Sequence, residues 1–95
     1  MERYYHILES GEPFVGNASF FTESEKTQMA PTKIKALLEM RIVVNGIQWG
    51  TIGFDDMVNE REWNAMEVDV IKVAANVLGA AIKRQMDDEA LKDEL

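Results

Sequence analysis

The stretch from Asn64 to Ile82 reads as one helix with two apolar sides, and this limits the fold more than any other feature of the chain. Ile71, Ala74, Ala75, Leu78 and Ile82 recur at helical spacing along one side, and Val70, Val73, Val77 and Ala81 along another. A helix apolar on two sides is buried on two sides. One stripe is expected to cover a sheet, and the other needs a second helix, yet the chain has no other long helical pattern. A second copy is the expected cover, giving a homodimer through Val70, Val73, Val77, Leu78 and Ala81. The helix start is fully signalled: Asn64 is the cap, Glu67 its box partner, and Trp63 stands where it can staple onto Val68 or stack on a ligand. Beyond Met86 the composition turns acidic, with Asp87, Asp88, Glu89, Asp93 and Glu94 and only Leu91 and Leu95 as apolar points. A helix from Ala65 to near Leu95 would be about 45 Å long at 1.5 Å per residue. A body of this size is only about 30–35 Å across, so the acidic end should project. The expected division is a body over 1–86 and a linking helical continuation over 87–95.

With 95 residues, 46% of them hydrophobic, the chain can build one small domain with a core. Seventeen acids against ten bases give a net charge of −7, which disfavours nucleic acid and anionic membrane surfaces. There is no cysteine and one histidine, so neither a thiolate nucleophile nor a cysteine or multi-histidine metal centre is expected. No nucleophile–base pair, phosphate loop or metal-ligand spacing points to an enzyme. No apolar run is long enough to span a membrane, and no signal peptide opens the chain, so the expected location is the cytoplasm.

The rest of the chain predicts an α+β fold: an antiparallel sheet, the long helix on one face and short helices and loops on the other. Tyr4, Ile7 and Leu8 predict a first helix stopped at Gly11. Phe14-Val15-Gly16 fits a short strand or an apolar loop, followed by an irregular link over 17–21. Thr22 and Glu25 form a capping box for a short helix that Pro31 ends. From Ile34 to Phe54 the alternation of a β-hairpin surrounds Asn45-Gly46. A three-residue loop pairing Val44 with Gln48 gathers Leu38, Met40, Ile42, Ile52 and Phe54 on one face, whereas a two-residue loop scatters them. The apolar face is expected to decide, with Gly46 left-handed. Gly50 and Gly53 are expected to admit close approach by another element.

The run from Val43 to Asp56, with Trp49-Gly50-Thr51-Ile52-Gly53-Phe54-Asp55-Asp56 at its heart, resembles the second half of a GAF domain of the kind found in sensor histidine kinases. Arg61-Glu62-Trp63, Ala74-Ala75 and Ala80-Ala81-Ile82-Lys83-Arg84 continue the resemblance, and Arg3-Tyr4, Leu8, Gly11, Pro13-Phe14-Val15-Gly16 and Glu23-Ser24-Glu25 fit more loosely. The resemblance covers roughly the C-terminal two-thirds of the domain. It implies a regulatory sensor module that binds a small molecule and passes its state along the last helix to a kinase or another sensor domain. The family has a glycine near Lys33 and Val-Pro-Ile where this chain has Met40-Arg41-Ile42.

By that resemblance the ligand face carries Arg41, Trp49 and Thr51, roofed by the segment holding Phe14, Phe20 and Phe21. Arg41 would pair with an anionic ligand or with Glu39. The bilin-attaching cysteine of photoreceptor relatives is absent, so no cofactor is expected. Asp55-Asp56 read as a strand end and turn rather than acid–base groups, and His6 as a surface residue. A dimerisation scaffold without ligand is the rival reading.

Overall fold

A computed structural model describes residues 2–17 and 20–94 of the chain. Met1, Ala18, Ser19 and Leu95 lie outside the described residues, and with them part of the irregular link and the last apolar point of the acidic end. The order of elements is α1 (Glu2–Glu9), β1 (Phe14–Asn17), α2 (Glu23–Met29), a 3-10 turn (Ala30–Thr32), β2 (Ala36–Val44), β3 (Ile47–Asp56) and α3 (Ala65–Glu94). The strands form an antiparallel sheet in the order β1-β2-β3.

Local signals place most boundaries where the chemistry puts them. Gly11 stops α1 at φ 88°, its N–H bonding back to the Leu8 carbonyl at 3.1 Å. The Thr22 hydroxyl accepts from the Glu25 N–H at 3.2 Å, and the Glu25 carboxylate accepts from the Thr22 N–H at 3.0 Å. Asn64 and Glu67 make the same reciprocal box at the head of α3, at 2.8 and 3.1 Å. The Pro31 turn ends in Lys33 at φ 61°, the left-handed position for which a glycine would be easier.

The hairpin corrects one expectation and keeps its purpose. The loop has two residues, not three: Val44 pairs with Ile47 across Asn45 and Gly46, at φ 53° and 76°. That turn twists in the sense of the strands, and Asn-Gly is its preferred pair. The residue that restores the apolar face is spent inside β3 instead. Val43 pairs with Gln48, but Ile42 pairs with Gly50, so Trp49 bulges out of the ladder. Below the bulge the register is Met40–Ile52 and Leu38–Phe54, as the apolar face requires.

Two cores result, one on each side of β2. Leu8, Phe14, Phe21 and Leu37 pack under α1 and α2. Ile42, Val44 and Ala75 pack under α3, with Met40, Ile52 and Ile82 at their edge. Side chains of β2 alternate between the two, so one strand serves both.

α3 meets the sheet through Ile71, Ala75 and Gly79, one turn apart and all buried. A Cβ on Gly79 would lie 2.5 Å from the Val43 carbonyl oxygen, so only glycine allows this approach. The expected close approach at Gly50 is absent, since nothing lies within 4 Å of a Cβ there. At Gly53 it is present, but the neighbour is the strand beside it: Leu38 O and Glu39 Cγ would both lie 2.6 Å away. The molecule is 54 Å long and 26 × 23 Å across, and α3, about 45 Å long at 1.5 Å per residue, accounts for much of that length. Gly79→Ala is expected to destabilise the fold by about 1–2 kcal/mol: an overpacking cost of about 1–3 kcal/mol, partly offset by alanine's better helix propensity. Urea unfolding should show the midpoint falling with an unchanged m-value.

Candidate functional site

Two surfaces can carry function: the sheet face under α1 and α2, and the side of α3 turned away from the sheet. The first holds most of the residues expected at a ligand site, in different states. Phe14 and Phe21 are buried core residues, their rings stacked 6.3 Å apart and 7° from parallel. Phe21 also abuts Gly16, where a Cβ would come within 2.8 Å of its ring. Phe20 is exposed, and its carbonyl accepts from Arg3 Nη2 at 3.0 Å. Trp49 is exposed at the bulge. Arg41 pairs with neither Glu39 nor open solvent alone: its Nη1 donates to the Glu9 carbonyl at 3.1 Å, a cation on the last turn of α1. The structure thus joins Phe14 with Phe21, and Arg41 with α1, and keeps Trp49 apart from both pairs.

Contacts that the sequence pattern did not predict hold this face together. The Tyr4 hydroxyl donates to Glu39 Oε2. Burial raises the Tyr4 hydroxyl's pKa far above its ordinary value, helped by the hydrogen bond to the Glu39 carboxylate, while Thr51 acts in the opposite direction. Thr51 therefore does lie at this face, beside Tyr4. Tyr4, Tyr5, Met29, Leu37, Glu39 and Asp55 are among the walls of a cavity of about 310 Å³, at the small end for a small-molecule site. The available signal was Glu39 itself, an acid in the inward position between Leu37 and Arg41 on an otherwise apolar strand.

A half-buried ion pair, exposed at Arg3 and buried at Glu25, ties α1 to α2. Arg3 Nε and Nη2 donate to Glu25 at 3.0 and 2.5 Å, and the Arg3 guanidinium lies 5.6 Å from the Phe14 ring centroid. The Arg3 hydrogen bonds hold the Glu25 carboxyl below its ordinary range, against the effect of burial and with help from the Thr22 N–H. Asp56 is the turn residue expected: its Oδ1 accepts from the N–H groups of Val58 and Asn59, both at 2.9 Å, and these bonds lower its pKa. His6 is exposed, as expected. Trp63 stacks on Phe54 at 6.4 Å and under the Arg61 guanidinium at 4.4 Å, with its indole N–H buried and unbonded among the described residues.

The second surface is the outer side of α3. Val70, Val73 and Val77 are 51%, 61% and 61% exposed, and Leu78 and Ala81 are also exposed. Val70, Val73, Val77 and Leu78, with Met66, Asp69 and Ala74, line an open, mostly apolar groove along the helix. Among the described residues no group of three acids or histidines could hold a metal ion, and no helix is long and apolar enough to cross a membrane.

The comparisons with known proteins follow this geometry. The structure superposes on the photoproduct state of GAF3 from a Synechocystis sp. protein with a TM-score of 0.82, at 22% identity, over 95% of this chain and 59% of that one. It superposes equally, at 0.82 and 20% identity, on the blue-light absorbing form of the Thermosynechococcus elongatus PixJ GAF domain, over 99% of this chain and 58% of that one. The chain has the GAF fold. It spans less than two-thirds of those GAF chains. In sequence it is 41% identical over 81 residues, 85% of its length, to the methanogenesis regulatory histidine kinase FilI of Methanothrix harundinacea, of which it spans 9%. No family profile matches it. Its relatives thus lie in sensory signalling proteins.

These neighbours overturn one expectation. The absence of an attachment cysteine led to the expectation of no cofactor, but several solved neighbours are cyanobacteriochromes, light-absorbing GAF domains. A missing thiol excludes only a thiol-linked group on this chain, and says nothing of what else the GAF fold holds. The residues present do not fit a thiol-linked group, since the chain has no cysteine.

Glu25→Gln is expected to cost about 1.5–3 kcal/mol at neutral pH, the worth of charge-assisted hydrogen bonds to a buried group. The lowered carboxyl pKa gives stability that is full above the ordinary carboxylate range and is lost as pH falls through the folded value. Urea unfolding at pH 7 and pH 3 should therefore show the gap between wild type and Glu25→Gln narrowing in acid.

Proposed function

We propose that this chain is a non-enzymatic sensory or regulatory module of a signal-transduction protein, cytoplasmic, which takes a small molecule on the α1 side of the sheet and transmits its state through a pair of α3 helices. The observation that carries the reading is the exposed valine stripe of α3. Three valines on the outer side of a helix already seated on its sheet are left uncovered by the described residues, and their exposure costs hydrophobic free energy that pairing would recover. The kinship with a regulatory histidine kinase and the GAF fold support the signalling context. Residues 1–86 would be the sensory body and 87–95 the start of the connection to a kinase or further sensor domain. Of the expected residues, Arg41, Thr51 and Phe20 remain the proposed ligand surroundings, with Tyr4 and Glu39 added by the cavity on that face, while Phe14 and Phe21 are core and Trp49 stands apart at the bulge.

A ligand-free dimerisation scaffold is the second reading. It is favoured by α1 itself, which covers part of the sheet face and already engages Arg41. Both readings share the pairing of α3.

Sedimentation equilibrium and native mass spectrometry test them together. Val77→Asp should give a folded monomer, because the charge enters the seam and not the core under α3. A bound mass of a few hundred daltons on the wild type, lost in Glu39→Ala, supports the sensor. A bare dimer supports the scaffold. A dimer that survives Val77→Asp overturns both.

A further inference from the structure

The cavity under α1 is charged in one sense only. Two carboxylates line it, Glu39 of β2 and Asp55 of β3, and no lysine or arginine is among its described walls. The register makes them diagonal neighbours on one face: Glu39 pairs with Gly53 and Leu37 with Asp55, which puts the two acids about 7–8 Å apart at Cα. Gly53 leaves room for the Glu39 side chain to lie across β3, since a Cβ there would come within 2.6 Å of Glu39 Cγ. Glu39 Oε2 accepts from the Tyr4 hydroxyl, a neutral partner. The Asp55 side chain makes no hydrogen bond or ion pair among the described residues. Arg41, the next position on the same face of β2, is engaged by the Glu9 carbonyl and is not a wall of the cavity. The remaining surface is aromatic and apolar. Tyr4 and Tyr5 stand edge to face with ring centroids 5.2 Å apart, and Met29, Ile34 and Leu37 add hydrocarbon.

We propose that this cavity takes a small organic ammonium ion, a primary amine with an apolar body. This rests on the small-molecule reading above and names the chemical class of the ligand. Two carboxylates with no base among the walls repel each other, and a cation between them replaces that repulsion with two attractions. The acceptors also match: the second Glu39 oxygen and the Asp55 carboxylate can only accept, and a primary ammonium brings three N–H donors. Tyrosine rings add to this, because an aromatic face attracts a cation. A metal ion is the other cation to weigh, but among the described residues no group of three acids or histidines could hold one. An anion would meet Glu39 and Asp55 with no positive wall to offset them. The apolar walls call for a hydrocarbon body, and a volume of about 310 Å³ keeps it small. The net charge of −7 draws any cation towards the molecule, but it does not select this cavity; the paired acids and rings do.

The test titrates three probes of similar shape into the isotope-labelled whole chain and reads amide chemical shifts by NMR: phenethylammonium, its neutral counterpart phenethyl alcohol, and the anion phenylacetate. Phenethylammonium should move the amides of Leu37, Glu39 and Asp55 and bind about tenfold more tightly than either counterpart. Glu39→Gln, which keeps an acceptor for Tyr4, should weaken it about tenfold. Asp55→Asn, at an exposed side chain, should weaken it about threefold and leave the spectrum that of a folded chain. Phenylacetate moving the same amides more strongly than the ammonium overturns the cation and leaves the small-molecule site standing. Ammonium shifts confined to the acidic end over 87–94, or binding unchanged in both variants, mark a general attraction to a negative chain and overturn the proposal. Three probes that all leave Leu37, Glu39 and Asp55 unmoved overturn it as well. Native mass spectrometry then separates the two failures: a bound mass on the wild type, lost in Glu39→Ala, keeps the small-molecule reading, and a bare chain ends both.

Discussion

Everything in this fold depends on how closely α3 can approach β2. The helix carries its load through Ile71, Ala75 and Gly79, and the last of these brings helix backbone to strand backbone at the Val43 carbonyl. A side chain there would lift the helix away from Ile42 and Val44 and open the core between them. Gly79 lies inside a helix, where it costs about 1 kcal/mol relative to alanine. That cost is accepted because the contact also sets the angle at which the rest of α3 leaves the sheet, and so the direction in which the helix projects.

Periodicity made the elements legible, and chemistry made their ends legible. The boxes at Thr22 and Asn64, the stop at Gly11 and the two faces of the hairpin all stand where residue types placed them. The turn shows where such reasoning stops. Two constraints competed at Asn45-Gly46: the turn chemistry asks for two residues, and the apolar face asks for an odd shift. A longer loop satisfies both on paper. The chain satisfies both by bulging Trp49, which keeps the preferred turn and moves the extra residue into the strand. Nothing local to Trp49 announces a bulge, since a bulge is a property of two strands together.

The site was less legible, for a related reason. Arg41 and Thr51 do share a sheet face, as alternation requires, but alternation cannot say what covers that face. α1 does, and its presence turns Arg41 into a cap for the helix and brings Tyr4 onto Glu39. These are contacts between segments more than 30 residues apart in sequence. Arg3–Glu25 is the same kind of contact, a buried charge satisfied by a helix that its own periodicity shows only as a polar position. Aromatic count was equally silent: Phe20 and Phe21 are adjacent, yet one is core and the other is exposed, because successive residues of an irregular link face opposite ways. One missing residue type is too narrow a basis for excluding a cofactor from a fold whose solved neighbours include light-absorbing domains.

The two sides of α3 answer to different demands, and this links the fold to its proposed role. The inner side is small and close-fitting, alanine and glycine against backbone, and leaves little freedom for the helix to move on the sheet. The outer side is made of exposed valines and, further along, of charges. Among the strands, β2 carries buried side chains in both cores, Leu37 under α1 and Ile42 and Val44 under α3, so it is the main link between the α1 face and α3. In the proposed role, a rigid inner contact would convert a small shift of β2 into a tilt of the whole helix. A helix about 45 Å long multiplies that tilt at its far end. Sensing at one face and output at the acidic end thus require no long internal path, only a stiff lever seated on the strand that both cores share.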